Sequence, residues 1–170
     1  MDLLTETSFD KIRVTDICDK AMVHRSTFYT YFESKEHLLT YRLQNIIHLV
    51  SGNSKPGKST VEANHDLKKL LDDISSNQIF YTRILVGEKE SGIRDILHDL
   101  LSRELLMEFK SAKGNHEKTN ISLNIASQYY SGATIAVITW WLKNKLSIST
   151  EKLAEEFNNL TLSKYVFYDD

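Results

Sequence analysis

Residues 9–39 read FDKIRVTDICDKAMVHRSTFYTYFESKEHLL, and this stretch decides the fold of the N-terminal part of the chain. Thr15 is a candidate N-cap followed by Asp16, and a carboxylate is favoured at the positive end of a helix. A second helix is predicted over Arg25–Tyr31, and Ser34 is the candidate N-cap of a third. Two short helices joined by a tight turn and steadied by another predict a helix-turn-helix, whose second helix enters the major groove of DNA.

The second helix carries hydroxyl groups and a guanidinium away from Phe28 and Phe32, which are spaced to face a core. Such polar groups hydrogen bond to base edges and phosphates, whereas a face that is only solvated usually carries Lys and Glu. Lys35 begins the next helix, where its ammonium and the backbone N–H groups are predicted to share one phosphate. The predicted DNA-binding residues are Thr15, His24, Arg25, Ser26, Thr27, Tyr29, Thr30, Tyr31 and Lys35.

This stretch resembles the DNA-binding domain of the TetR family of bacterial transcriptional regulators. The positions that match the family pattern are Thr15, Ile17, Ala21, Val23, Arg25, Thr27, Phe28, Tyr29, Tyr31, Phe32, Ser34, Lys35, Glu36, Leu38 and Leu39. The resemblance implies a homodimer in which two such heads straddle a pseudo-palindromic operator. It also implies a C-terminal helical domain that dimerises and usually holds an effector pocket.

Three features depart from the family pattern. Met22 stands at the turn position that is commonly Gly, and a left-handed backbone there strains a side-chain-bearing residue by roughly 1 kcal/mol. His24 replaces the Ser that usually caps the second helix. The first helix, around Leu3 and Leu4, is shorter than the family's usual basic first helix, so we expect weaker DNA binding.

The charge of the chain is close to balanced. The 170 residues include 21 Lys and Arg against 23 Asp and Glu, a formal net charge of −2, and residues 1–45 hold six basic and seven acidic residues. Such a balance predicts weak non-specific binding to DNA. It does not exclude a small hydrogen-bonding contact surface, because Glu33 is the only acidic residue between Val23 and Lys35.

The rest of the chain predicts helices throughout. Six Gly and one Pro are too few for a many-stranded sandwich or barrel, which needs a turn every ~8–12 residues. The predicted helices are 34–50, 61–76, 78–86, 93–112, 121–146 and 150–162, with a linker at 51–60 and a loop at 113–119. The fold class is therefore predicted to be all-α, with a DNA-binding domain at 1–45 and a dimerisation and effector domain at 46–170.

Residues 131–157, SGATIAVITWWLKNKLSISTEKLAEEF, resemble the C-terminal domain of a TetR subgroup that includes dihydroxyacetone-kinase-type regulators. The small residues one turn apart in this stretch favour a dimer contact, with an intrachain helix crossing as the alternative. The predicted dimer-interface residues are Gly132, Ala136, Trp140, Trp141, Leu153 and Phe157. The predicted effector-pocket residues are Phe80, Tyr81, Phe109, Tyr129 and Tyr130, although aromatic residues at helical spacing more often form a core.

The sequence offers no signal of enzymatic, metal or membrane chemistry. Cys18 is the only cysteine and is interpreted as a packed core residue. The six His lack a metal-ligand spacing, and no Gly-rich phosphate loop or nucleophile motif is present. We therefore expect no cofactor and no metal. The longest apolar run, residues 133–142, is too short to span a bilayer, and a cytoplasmic protein is expected.

The predicted function is a DNA-binding transcriptional regulator, more specifically a homodimeric repressor whose operator binding is released or tuned by a small-molecule effector. Its partners are then double-stranded operator DNA, a second copy of the chain and the effector. The alternative is a TetR-like helical co-regulator that binds a protein partner and has lost DNA binding. The short first helix and the head's lack of net positive charge motivate that alternative.

Overall fold

The computed structural model describes residues 2–51, 60–87, 91–112 and 122–162, and the regular elements in these ranges are helices. In chain order they are α1 (Asp2–Glu6), a 3-10 helix (Phe9–Lys11), α2 (Val14–Ala21), α3 (Arg25–Tyr31), α4 (Lys35–Ser51), α5 (Thr60–Ser76), α6 (Gln78–Val86), α7 (Ser91–Ala112), α8 (Leu123–Lys143) and α9 (Thr150–Leu162). The predicted all-α class is confirmed. The predicted loop at 113–119 and most of the predicted linker lie outside the described ranges.

The bounds of the helices follow the apolar periodicity of the sequence closely. Those of α3, α6 and α9 are the predicted ones. The C-termini of α5 and α7 are also the predicted ones, and the remaining ends differ by one to three residues. The largest difference is at the C-terminus of α8, which ends at Lys143 instead of residue 146. The reason lies in the backbone, because Lys145 and Leu146 both have left-handed φ angles of 53° and 55° that no α-helix accommodates.

The N-terminal helices α1–α3 (the head) and helices α5–α9 (the body) share one hydrophobic core. Phe9 begins the 3-10 helix and Ile12 follows its last residue. Both side chains are buried in the same cluster as Phe80 and Tyr81 of α6. Helix α6 packs against α1 as well as α7 and α8, and α4 packs against α5 and α7. The predicted boundary between residues 45 and 46 falls within α4, which therefore joins the head to the body.

The start of α2 differs from the prediction. The helix begins at Val14, and Arg13 rather than Thr15 is at the N-cap position. The Asp16 carboxylate accepts a hydrogen bond from the backbone N–H of Arg13 at 2.8 Å and another from its guanidinium at 3.3 Å. These bonds hold the pKa of Asp16 below its usual value. The acid at the third helical position, rather than a Thr hydroxyl, thus satisfies the free backbone at this end.

The caps of the neighbouring helices follow the sequence more closely. Ser34 caps α4 as predicted, because its Oγ accepts a hydrogen bond from the His37 backbone N–H at 3.1 Å. Helix α2 ends at a left-handed Met22, with φ 54° and ψ 42°. The next N–H, that of Val23, returns to the Cys18 carbonyl at 3.0 Å, which completes a Schellman turn. The Met22 side chain is 91% exposed, so side-chain packing does little to offset the strain expected at this position.

A polar cluster fastens α9 to α5. The Lys68 ammonium lies 2.7 Å from the Asp72 carboxylate and 2.9 Å from that of Glu151, and the Thr150 hydroxyl donates to Asp72 at 2.6 Å. Hydrogen bonds to the two carboxylates raise the pKa of Lys68, and the ammonium in turn lowers the pKa values of Asp72 and Glu151. Because Thr150 and Glu151 begin α9, this cluster fixes the entry of that helix into the body.

Candidate nucleic-acid interface

Nearly all the side chains of helix α3 are exposed to solvent. Phe28 is its one buried side chain, at 5% exposure, and its ring packs 5.6 Å from that of Phe32. The exposed residues are Arg25, Ser26, Thr27, Tyr29, Thr30 and Tyr31. His24 precedes the helix in an extended conformation and makes no side-chain cap hydrogen bond. A short helix held by one anchor and carrying polar groups on its remaining surface has the geometry of a recognition helix.

Arg25 and Tyr29, one helical turn apart, form a stacked pair on this surface. The guanidinium carbon lies 5.9 Å from the centre of the Tyr29 ring, within the range of a cation–π contact. The Tyr29 ring in turn meets Phe28 edge to face, with centroids 5.4 Å apart and planes at 88°. The exposed guanidinium is therefore linked to the core by two aromatic contacts.

The hydroxyl groups of α3 are not equivalent. The Thr30 Oγ1 donates to the Ser26 carbonyl at 3.0 Å, so its proton is used within the helix and its lone pairs remain for an incoming donor. Thr27 is exposed on the preceding turn. Thr15, one of the predicted DNA-binding residues, lies half-buried in the first turn of α2.

Lys35 departs from the prediction. Its ammonium donates to the carbonyls of Phe9 at 2.9 Å, Asp10 at 3.1 Å and Ile12 at 2.9 Å, and lies 4.8 Å from the centre of the Phe9 ring. The side chain is 18% exposed, and these three bonds use all the N–H donors of an ammonium. The structure thus corrects the predicted phosphate contact, since Lys35 instead ties the start of α4 to the 3-10 helix.

The five predicted effector residues occupy different surroundings. Phe80 and Tyr81 are buried in the shared core, and the Tyr81 hydroxyl donates to the Asp73 carboxylate at 2.5 Å. Burial, together with that carboxylate, raises the pKa of Tyr81 well above its ordinary value. Phe109 of α7 and Tyr130 of α8 pack edge to face at 5.9 Å, whereas Tyr129 is 69% exposed. An exposed Tyr129 does not line an enclosed pocket of the protomer.

The predicted dimer residues also divide between the interior and the surface. Trp141 and Leu153 are 1% and 3% exposed, so they belong to the core of the protomer and not to a surface. A Cβ added to Gly132 would lie 3.8 Å from His98 of α7, which places that glycine at an intrachain crossing. Phe157 is half-buried against the core. The adjacent Trp140 is 48% exposed, because neighbouring residues on a helix point about 100° apart.

An apolar stripe, defined here as Ile125, Tyr129, Ala133, Ala136 and Trp140, runs along the exposed side of α8. Successive members are three or four residues apart, the spacing of one helical face. Ile125 and Tyr129 are 66% and 69% exposed, so the large side chains of the stripe contact solvent in the protomer. On its opposite side α8 buries Ser131, Ile138 and Leu142 within the body.

Sequence profiles of known families match both parts of the chain. The profile described as "Bacterial regulatory proteins, tetR family" matches residues 1–41, and the one described as "Transcriptional regulator C-terminal region" (TetR_C_8) matches residues 62–163. The chain belongs to the TetR family. This TetR regulator is thus a DNA-binding transcriptional regulator and not an enzyme. Within the described ranges, none of its helices is long and apolar enough to cross a membrane, and no cluster of metal-ligating side chains occurs.

Relatives of the regulator align over most of its length. It is 26% identical over 171 residues to "HTH-type dhaKLM operon transcriptional activator DhaS" of Lactococcus lactis subsp. lactis (strain IL1403), covering 99% of this chain and 87% of that protein. A Bacillus subtilis (strain 168) protein, "Uncharacterized HTH-type transcriptional regulator YxbF", is 27% identical over 97% of this chain, which spans 43% of YxbF.

Solved structures share the fold of the regulator. A structure titled "Dihydroxyacetone kinase operon activator DhaS" superposes with a TM-score of 0.67 at 24% identity, covering 99% of this chain and 93% of that one. The fatty acid degradation regulator FadR from Bacillus halodurans gives a TM-score of 0.57 at 19% identity over 94% of this chain and 88% of that one.

Three features of the regulator escaped the sequence prediction. The contact between Arg25 and Tyr29 could have been predicted from their spacing, since residues four apart on a helix are neighbours. Ile125 and Ala133 of the apolar stripe had a weaker signal, because α8 is apolar on several faces and no single face stands out. The Lys35 bonds to residues 9–12 had no such signal, because they join positions 23 to 26 residues apart.

Proposed function

We propose that this TetR regulator acts as a homodimer that places α3 of each copy in the major groove of a two-fold-related operator. The observation that carries the proposal is the exposed hydrogen-bonding face of α3 above the buried Phe28. Side chains of this chemistry read base edges and hold phosphates. Such a protein acts in the cytoplasm, where bacterial DNA lies.

A dimer is supported by the apolar stripe of α8. Contiguous exposed apolar side chains of this size mark interaction surfaces, and Trp and Tyr are enriched among residues that dominate binding energy. A second copy of the chain fits this face best, because a two-fold contact buries the same stripe on both partners. Two heads are also what an operator with half-sites about 34 Å apart requires. Ala133 and Ala136 allow the two α8 helices to approach closely.

Trp140→Glu is expected to convert the dimer to a monomer. The substitution would bury two carboxylates in an apolar contact, and the dimer dissociation constant should rise roughly 100-fold or more. Analytical ultracentrifugation of the full chain at micromolar concentration measures the mass. Ile79→Glu is the matched control, since Ile79 on α6 is 60% exposed but lies off the stripe. A wild-type monomer, or a Trp140→Glu variant that stays dimeric, would contradict the proposed interface.

Operator binding is expected to weaken steeply with salt. A dimer that makes about 6–10 phosphate contacts should lose roughly 10³–10⁵ in affinity between 50 and 200 mM salt. Fluorescence anisotropy with duplexes tiled across the DNA upstream of the regulator's own gene supplies the measurement. Binding to one tile well above the others supports the proposal. No binding to any tile at low salt would favour the alternative of a co-regulator that has lost DNA binding.

Effector control and the sign of regulation complete the proposal. An effector that releases DNA must bind more tightly to the conformation of the dimer that does not bind DNA. Of the predicted effector residues, the packed pair of Phe109 and Tyr130 remains the candidate for such a site. Repression is the sequence-based prediction, while the Lactococcus relative carries the name of an activator. Deleting the gene and following a promoter–reporter fusion gives the sign directly, because expression rises under repression and falls under activation.

A further inference from the structure

We propose that Arg25 reads a guanine in the major groove and that Tyr29 is the residue that positions its guanidinium for this contact. The proposal rests on the DNA binding by α3 proposed above and goes beyond it by naming the base and the reading pair. It follows from two contacts, the Arg25 guanidinium over the Tyr29 ring and the edge-to-face packing of Tyr29 against Phe28.

Arg25 has the position and the chemistry of a base reader. It is the first residue of α3, and N-terminal residues of a recognition helix are those that reach base edges. It is exposed, no acidic residue lies in the first turn, and no carboxylate of the described residues pairs with it. Its planar fork of donors matches the O6 and N7 acceptors of guanine, the commonest specific protein–DNA contact.

Tyr29 supplies the order that a free arginine lacks. A long exposed side chain loses rotamer freedom when it binds, and holding it beforehand removes part of that cost. The Tyr29 ring holds the guanidinium at 5.9 Å, and Phe28, only 5% exposed, holds the ring. The cation–π attraction also strengthens when the groove excludes water from the pair.

Neither the Ser and Thr hydroxyls of α3 nor Lys35 specifies a guanine. The Thr30 proton is donated to the Ser26 carbonyl, so in this arrangement Thr30 only accepts hydrogen bonds. Free Ser and Thr hydroxyls donate or accept and thus discriminate little between bases. The Lys35 ammonium is used by the carbonyls of residues 9, 10 and 12. Arg25 is the only basic residue within α3 itself.

The test uses the full chain and the DNA duplexes that it enriches by binding from a library whose central base pairs are randomised. Each guanine of the selected site is then replaced by 7-deazaguanine, which lacks the N7 acceptor. We expect one guanine in each half-site at which this replacement weakens wild-type binding by roughly tenfold. For Arg25→Ala the loss should vanish at that guanine and remain at the others.

Variants of Tyr29 separate positioning from contact. Tyr29→Leu should reduce the discrimination against 7-deazaguanine by about 2–5-fold. Tyr29→Phe should retain the discrimination, since Phe keeps the aromatic face even if overall affinity falls with the lost hydroxyl. Tyr41→Leu is the control, because Tyr41 lies on α4 and is 51% exposed without touching Arg25. Circular dichroism confirms that each variant is folded.

The outcomes separate the two levels of the proposal. If Arg25→Ala keeps the wild-type response at every guanine, the guanine contact is refuted while DNA binding by the regulator stands. If Tyr29→Leu discriminates as well as wild type, the positioning role is refuted. If the wild-type protein enriches no sequence from the library, the proposed operator binding itself fails, and the Arg25 contact fails with it.

Discussion

Trp141→Ala is expected to lower the free energy of unfolding by roughly 3–5 kcal/mol, the cost of truncating a large buried aromatic residue. Trp141 is 1% exposed, and its indole N–H donates to the Ile148 carbonyl at 2.8 Å. The substitution removes both the packing within the body and the bond that holds the turn between α8 and α9. That turn contains the two left-handed residues Lys145 and Leu146, so it has little stability of its own.

Urea denaturation followed by circular dichroism measures this loss, and the adjacent tryptophan is a natural control. Trp140→Ala should change the unfolding free energy of the protomer by less than about 1 kcal/mol, because Trp140 is 48% exposed. Both variants are compared at several protein concentrations, since dimer dissociation adds a concentration-dependent term. Equal losses for the two tryptophans would show that the two side chains are not divided between core and surface as described.

Lys35→Met is expected to lower the free energy of unfolding by about 2–4 kcal/mol, because hydrogen bonds to charged groups are strong and three carbonyls lose their donor. The Met side chain keeps much of the apolar stem that packs near Phe9, so the loss reports on the ammonium. DNA affinity should also fall, since the segment of residues 9–12 is then no longer tied to the start of α4. Denaturant unfolding and anisotropy titrations measure the two effects.

The salt dependence distinguishes this positioning role from a phosphate contact. If Lys35 binds no phosphate, the slope of log affinity against log salt should be the same for Lys35→Met and wild type, whereas loss of a phosphate contact reduces the slope by about 0.9 for each head. Lys11→Met is the matched control for stability, as Lys11 is an exposed lysine of the same segment. Unchanged stability together with a reduced slope would restore the phosphate contact that the sequence predicts.

The fold was largely predictable because it depends on local signals. The apolar periodicity gave the bounds of α3, α6 and α9, and Ser34 gave the start of α4. The family resemblance of residues 9–39 was confirmed by a profile match over residues 1–41. The α2 cap was missed because a capping acid at the third helical position and a capping Thr produce similar sequence signals.

The assignment of faces was less predictable. Trp140 and Trp141 are adjacent and chemically identical, and only the crossing of α8 with α6 and α7 buries the second and exposes the first. The sequence favoured a dimer contact for Gly132 over an intrachain crossing, whereas the nearby His98 of α7 places this glycine at an intrachain crossing. A helix that is apolar on several sides carries no information about which side meets which partner.

The sequence by itself determined the helical class, the helix-turn-helix and the chemistry offered to DNA, because these follow from spacing, caps and residue types within a few turns. The tertiary structure decided how those groups are used. It joined Lys35 to residues 9–12, placed Arg25 over the Tyr29 ring that Phe28 supports, and left the stripe of α8 exposed. The physical reason is that burial and the partners of a charged group depend on which distant segments pack together, and local periodicity does not encode that choice.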